Sequence, residues 1–200
     1  MMKKSMRWLV VFAILAMLLT ACSNKQEKIE YSGKHLTIGV VGKAPEINEE
    51  KVTFKEIPLN KLTKKTAKET DGVLVMKDQL AEASKEEYVD VFKEADVPFF
   101  FVESKMGMAP FLEKNLKYDD TYTDEGFDPQ YVYGFHLTKE DVMHNWSFGL
   151  DNDKQTDENI ENVFIRIFKT LDGETMDVAE PEDYELEDAE LGDLETENAE

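Results

Sequence analysis

Three lysines carry the placement that points most directly to chemistry. Lys43, Lys77 and Lys105 follow Val40-Val41-Gly42, Leu74-Val75-Met76 and Val102-Glu103-Ser104, each at or just past the end of an apolar run. If those runs are parallel neighbouring strands, the three ammonium groups emerge on one edge of a sheet, the edge where open α/β folds hold ligands. Gathered there, in an otherwise acidic chain, they would form a local site for a small anionic ligand, helped by the start of a helix after Asp78. The competing expectation is that Lys77 and Lys105 pair with Asp78 and Glu103 or extend into water, as charged residues at strand ends ordinarily do.

Other chemistries fail on spacing. Gly42-Lys43 follows a strand as a phosphate-binding loop would, but the first glycine of that pattern would fall on Thr37 and the hydroxyl after the lysine is replaced by Ala44. Asp151, Asp153, Gln155, Asp157 and Asn159 alternate like a calcium loop, yet Thr156 stands where glycine must turn the chain and Asn162 where a bidentate glutamate must close it. Asp157 is better read as the cap of the following helix. His35, His136 and His144 show neither His-x-x-x-His nor His-Glu-x-x-His spacing, so no metal and no cofactor is expected. No Gly-x-Ser-x-Gly nucleophile is present. Carboxylate pairs cannot be singled out among 43 acidic residues.

The elements that must position these residues follow an α/β pattern. Continuous apolar runs at 36–41, 73–76 and 98–102 are expected as inner strands covered on both faces. The alternating stretch 52–57 is expected as a peripheral strand at an edge, and 131–137 as one more strand. Amphipathic spacing predicts helices over 78–95, capped by Asp78, and over 159–171, stopped by Gly173, with a weaker helix over 59–68. Between Lys105 and Glu158 the signals thin. There Tyr118, Tyr122, Tyr131 and Tyr133 interleave with Asp119, Asp120, Asp124 and Asp128, an arrangement that anchors its own loop or binds sugars or peptides. The fold class is therefore a Rossmann-like, three-layer α/β domain with a mostly parallel sheet.

Composition sets the limits of the domain. The chain carries 23 Lys and Arg against 43 Asp and Glu, a formal charge of -20, which argues against nucleic acid and anionic surfaces as electrostatic partners. Asp172 to Glu200 holds 14 acidic residues and no Lys or Arg, too charged and too poor in large apolar groups to offset its ordering entropy. It is expected as a disordered acidic tail. At the other end, Lys3, Lys4 and Arg7 precede the uncharged apolar run from Trp8 to Leu19, which is short for a membrane span and suited to an export signal.

Leu19-Thr20-Ala21-Cys22 then resembles the lipobox of bacterial lipoproteins, in which diacylglycerol is attached to the cysteine sulfur and a dedicated peptidase cuts before it. The resemblance implies a signal over 1–21, a lipidated Cys22, and attachment to the extracytoplasmic face of a membrane. Cys22 is the sole cysteine, so no internal disulfide can form, and acylation would remove an exposed thiol. The expected organisation is a tether over 22–34, an ectodomain over 35–171 and the tail over 172–200. Within the ectodomain, Ile38-Gly39-Val40-Val41-Gly42, Asp71-Gly72-Val73-Leu74-Val75 and Ala95-Asp96-Val97-Pro98-Phe99-Phe100-Phe101-Val102 resemble one lobe of the type I periplasmic binding proteins, which implies ligands at the carboxyl ends of parallel strands. Two departures stand: only one lobe is present, and Lys43 to Lys51 is too short for the crossover helix of that family. The expected function is that of a non-enzymatic lipoprotein binding a small molecule, a peptide or an envelope protein; the alternative is an envelope hydrolase with its site within 105–158.

Overall fold

The structure is a computed structural model of the chain, and it describes residues 29–123 and 129–174. The signal, Cys22 and the acidic tail beyond residue 174 lie outside the described residues, as do Asp124 and Asp128. The compact unit begins at Tyr31. Its elements are β1 (Leu36–Val41), β2 (Val52–Glu56), α1 (Lys64–Ala67), β3 (Gly72–Val75), α2 (Leu80–Ala83), α3 (Glu86–Glu94), β4 (Phe99–Val102), α4 (Ala109–Leu112), β5 (Val132–Leu137), β6 (Met143–Phe148) and α5 (Asp157–Asp172). Among the described residues no helix is long and apolar enough to cross a membrane.

One mixed sheet runs in the order β2-β1-β3-β4-β5-β6. β2, β1, β3 and β4 are mutually parallel, whereas β5 and β6 fold back as an antiparallel hairpin. The chain is thus an α/β protein with a sheet that is parallel over most of its strands. The alternating strand β2 occupies an edge, as its pattern predicts. Its parallel pairing with β1 is made across residues 42–51 with no helix between, a connection shorter than such crossovers usually need.

The continuous apolar runs do lie in the middle of the sheet. Phe99, Phe100 and Phe101 are each fully buried, which requires cover on both faces because successive side chains alternate. On one face Phe99 and Phe101 meet Phe92 of α3 edge-on, at ring centroids of 5.0 and 5.3 Å, and Phe101 stacks on Phe111 of α4 at 3.8 Å. Val73, Val75, Leu80 and Phe135 belong to the same core. On the other face Phe100 lies against Trp146 and Phe148, and α5 supplies Val163, Phe164, Ile167 and Phe168, all buried. Phe168 reaches Phe54 of β2, and Leu171 sits over Gly72 of β3. Gly134 of β5 leaves room for the Phe100 ring: a Cβ there would stand 2.5 Å from Phe100 Cδ1.

Several expectations are corrected. The helix expected over 78–95 is broken into a 3-10 turn at Lys77–Gln79, α2 and α3. The break is at Ser84, whose hydroxyl donates to the carbonyl of Ala81 and accepts from the N–H of Tyr118, so the side chain competes with continued helix. Asp78 caps nothing; its carboxylate accepts from Gln79 Nε2. The weak helix over 59–68 is a 3-10 turn at Leu59–Lys61 followed by α1, which opens on a capping box between Thr63 and Thr66. α5 is capped by Thr156, whose Oγ1 accepts from the N–H of Asn159, and Asp157 takes the first helical turn, where its charge complements the helix dipole. Gly173 ends α5 in the left-handed conformation, as predicted.

The stretch 105–158 also contains more structure than its sequence signals, namely α4, β6 and a 3-10 turn at Asp151–Asp153. The tether expected over 22–34 is packed from Tyr31 onward. The Tyr31 ring is buried edge-on against Phe168, its hydroxyl donates to the carbonyl of Lys34, and Lys51 Nζ donates to the carbonyls of Ser32 and Gly33. Burial, followed by the charges of Asp172 and Glu174, pushes the Tyr31 phenol up to about 12.

Candidate functional site

The carboxyl ends of β1, β3 and β4 are neighbours on one edge of the sheet. Because β5 and β6 run antiparallel, the start of β5 and the end of β6 join the same edge. From β1 the chain leaves toward β2 on one side, and from β3 it leaves toward β4 on the other, so this edge contains the crevice where strand order reverses. Two hollows open there. One, of about 320 Å³, is lined by Lys77, Glu103, Lys105, Tyr131, Asp153 and Gln155 among others. Its neighbour, of about 640 Å³, is lined by Lys43, Pro45, Met76, Asp78, Tyr118 and Asp120, with Lys77 bordering both.

All three lysines therefore come out on the predicted edge, and each has a carboxylate beside it. Lys77 Nζ donates to Glu103 Oε2 at 2.8 Å, across 26 residues of sequence. Lys105 Nζ donates to the carbonyl of Asp120 at 2.6 Å, with the Asp120 carboxylate at 3.8 Å. Lys43 pairs with Glu46 at 2.8 Å, both side chains more than four-fifths exposed, a pairing of little energetic weight. The pairings expected of Lys77 with Asp78 and of Lys105 with Glu103 are thus replaced by others. The Lys77 ammonium is held above its ordinary range by its hydrogen bond to Glu103, against the opposing pull of burial, and stays charged.

Glu103, expected only as a partner of Lys105, holds a place at the site that sequence reasoning missed. Its backbone adopts φ of 58°, a left-handed conformation that costs a non-glycine residue on the order of 1–2 kcal/mol. The N–H of Glu103 donates to the carbonyl of Tyr131 at 2.7 Å, continuing the β4 to β5 ladder by one residue, after which the chain turns sharply. That turn is locked from behind: Ser104, almost fully buried, donates its hydroxyl to the carbonyl of Gly107. The carboxylate is thereby fixed at the mouth of the cleft, where Gln155 Nε2 stands 3.5 Å from the same Oε2 that Lys77 meets. Asn152 and Asp153, on the opposite wall, are also left-handed, so three of the five such non-glycine residues among those described gather at this edge. Strained backbone of this kind persists where surroundings over-determine it, and it concentrates at binding sites.

The opposite wall is secured from α5. Asn159 Nδ2 donates to the carbonyls of Asp151 and Lys154, fixing the turn between β6 and the helix. Arg166 donates to the carbonyl of Gly149 and lies 5.9 Å over the Phe148 ring. Tyr131 presents a phenol whose ionisation is pushed up to about 12 by burial and by the charge of Glu103, so at neutral pH it is a donor. Tyr118 is buried with its hydroxyl toward Lys105 and Asp120, and the Tyr133 hydroxyl accepts from the N–H of Gln130, so both anchor their own loops.

The histidines are elsewhere. His136 and His144 face each other across β5 and β6 at the opposite edge of the sheet, with ring centroids 6.3 Å apart, and His136 Nε2 stands 3.4 Å from Asp96 Oδ1. The Asp96 carboxyl is held below its usual range, first by its hydrogen bond from Lys139. His35 precedes β1. Among the described residues no group of three His, Cys, Asp or Glu is arranged to hold a metal ion.

If Glu103 is kept for its carboxylate at the expense of its backbone, glycine at this position will fold at least as well. Glu103→Gly is expected to raise unfolding free energy by up to about 1 kcal/mol, the relief of the left-handed conformation outweighing loss of a half-exposed ion pair. Glu103→Val, β-branched, is expected to lower it by about 1–3 kcal/mol. Urea denaturation measures both, and a strongly destabilised glycine variant would contradict the assignment of strain.

No protein-family model, no curated protein and no solved structure matches this chain.

Proposed function

We propose that this chain is a lipid-anchored extracytoplasmic binding protein without catalytic function, held to the membrane through Cys22 and binding a small zwitterionic ligand at the carboxyl edge of a Rossmann-like, three-layer domain. The observation that carries the ligand reading is Glu103, a carboxylate fixed in a strained backbone conformation at the crevice where strand order reverses, beside Lys77. The anchor reading rests on the ordered signal, from Lys3 through the apolar run to Leu19-Thr20-Ala21-Cys22. Two acyl chains on one cysteine would hold the protein stably, where a single chain binds reversibly.

The choice of ligand follows from the signs of charge. Lys77 and Lys105 share the smaller hollow with Glu103 and Asp153, so the lining is balanced and offers both a cationic and an anionic partner. A simple anion would have to displace Glu103 from Lys77 and would then face that carboxylate unpaired. A ligand with an ammonium and a carboxylate, such as an amino acid or the end of a peptide, satisfies both partners at once. The amides of Gln130 and Gln155 and the phenol of Tyr131 add neutral hydrogen-bonding capacity.

For the anchor, Cys22→Ala is expected to abolish incorporation of labelled palmitate and release the protein from the membrane fraction, while the fold from Tyr31 onward is unchanged. Labelling that persists in Cys22→Ala would refute lipidation at this residue. For the site, calorimetric titration with free amino acids and dipeptides is expected to show binding that Lys77→Gln and Glu103→Gln each weaken by about tenfold or more. A triple Lys43, Lys77, Lys105 to Gln variant is expected to lose it, and phosphate and sulfate to bind neither form. Equal affinity in wild type and variants, or tight phosphate binding to wild type alone, would overturn the zwitterion reading.

A further inference from the structure

The two edges of the sheet are built differently. β2, at one edge, is five residues long and carries Lys55 and Glu56, with Glu49, Glu50 and Lys51 just before it and Lys55 paired to Glu69. Charges of this kind prevent an edge from accepting another strand. β6, at the other edge, has none. From Val142 to Leu150 there is no Asp, Glu, Lys or Arg, in a chain of which one third is charged. It contains no proline, its six pairs with β5 run without a bulge, and Val142 and Met143 are among the most exposed large apolar side chains of the described residues.

The register determines which groups are free. The N–H of Thr138 donates to the carbonyl of Val142, so the hydrogen-bonded pairs with β5 fall on Val142, His144, Trp146 and Phe148. The N–H and C=O groups of Met143, Asn145 and Ser147 therefore point outward, and no described residue bonds to them. The side chains of these three residues are also exposed.

We infer that the outer edge of β6 is an interface between two copies of this chain, joined antiparallel about a twofold axis at Asn145. In that register Asn145 lies opposite Asn145 and Met143 opposite Ser147, each pair exchanging backbone hydrogen bonds. His144 lies opposite Trp146 in the closer, non-hydrogen-bonded pairs, which extends the His144 to Trp146 stack already present within one copy. Every facing pair is uncharged. Two copies of a chain with a formal charge of -20 repel overall, and this uncharged strip lets them approach without setting charge against charge. The arrangement is closed: it uses both bare edges and leaves the two charged β2 edges as the ends of one continuous sheet. It is independent of the ligand reading.

Sedimentation of the full chain in detergent, at micromolar concentrations, tests this. Wild type is expected to be a dimer. Asn145→Lys, which sets two ammonium groups face to face without touching the core, is expected to be a monomer with the circular dichroism of wild type, its dissociation constant raised at least about tenfold. Asn145→Cys is expected to form a covalent dimer with a short thiol-to-thiol crosslinker, whereas Lys55→Cys on the other edge and wild type, which has only Cys22, are not. A monomeric wild type overturns the inference. So does a dimer that survives Asn145→Lys and is not trapped through residue 145; should the lysine variant fail to fold, the crosslinking pair alone decides.

Discussion

Burial of β4 on both faces is the constraint on which the rest of the molecule depends. Phe99 and Phe101 fill one side of the sheet and Phe100 the other, each without exposure, so neither layer of helices can be removed without exposing a phenyl ring. Truncating one such ring to alanine typically costs about 3–5 kcal/mol, a large part of the roughly 5–15 kcal/mol that holds a domain of this size together. β4 is also the hinge of the topology. It is the last parallel strand and the first to take an antiparallel neighbour, and Gly134 of that neighbour is small because Phe100 needs the space.

The site inherits its geometry from this strand. Because β4 is immobilised by its rings, the residue after it emerges in a fixed place, and the next hydrogen bond of the ladder, from Glu103 to Tyr131, bends the chain into the left-handed region. That bend aims the carboxylate at Lys77, which stands just past the end of the adjacent parallel strand. The opposite wall is fixed in the same manner, through Asn159 and Arg166 on a helix held by its own apolar stripe. Polar groups at the edge are thus positioned by apolar packing some residues away, which is how a small domain without disulfides can hold a charged pair in register.

The inner strands and the long helix were legible because their signals are dense: three consecutive phenylalanines, and a complete apolar stripe from Ile160 to Leu171. That Lys43, Lys77 and Lys105 share an edge was legible for the same reason, since it needs only that three strands be parallel. Which carboxylate each lysine meets was not, because Glu103 reaches Lys77 and Asp120 reaches Lys105 through turns whose shape depends on tertiary contact. β6 was hidden by its position: as an edge strand it buries only Phe148 fully, and His144 and Trp146 alternate with polar residues that resemble loop. The break at Ser84 was hidden because a serine in a helical pattern signals nothing until Tyr118, 34 residues later, bonds to it.

Amide hydrogen exchange under native conditions tests most directly whether the molecule is organised around β4. The amides of Phe99 to Val102 are expected to exchange only through global unfolding, with a free energy of opening equal to that from chemical denaturation, while α1 and the turns at the carboxyl edge open at lower cost. Opening of Phe99 to Val102 at a free energy well below the global value, with α5 or β1 remaining protected, would contradict the account.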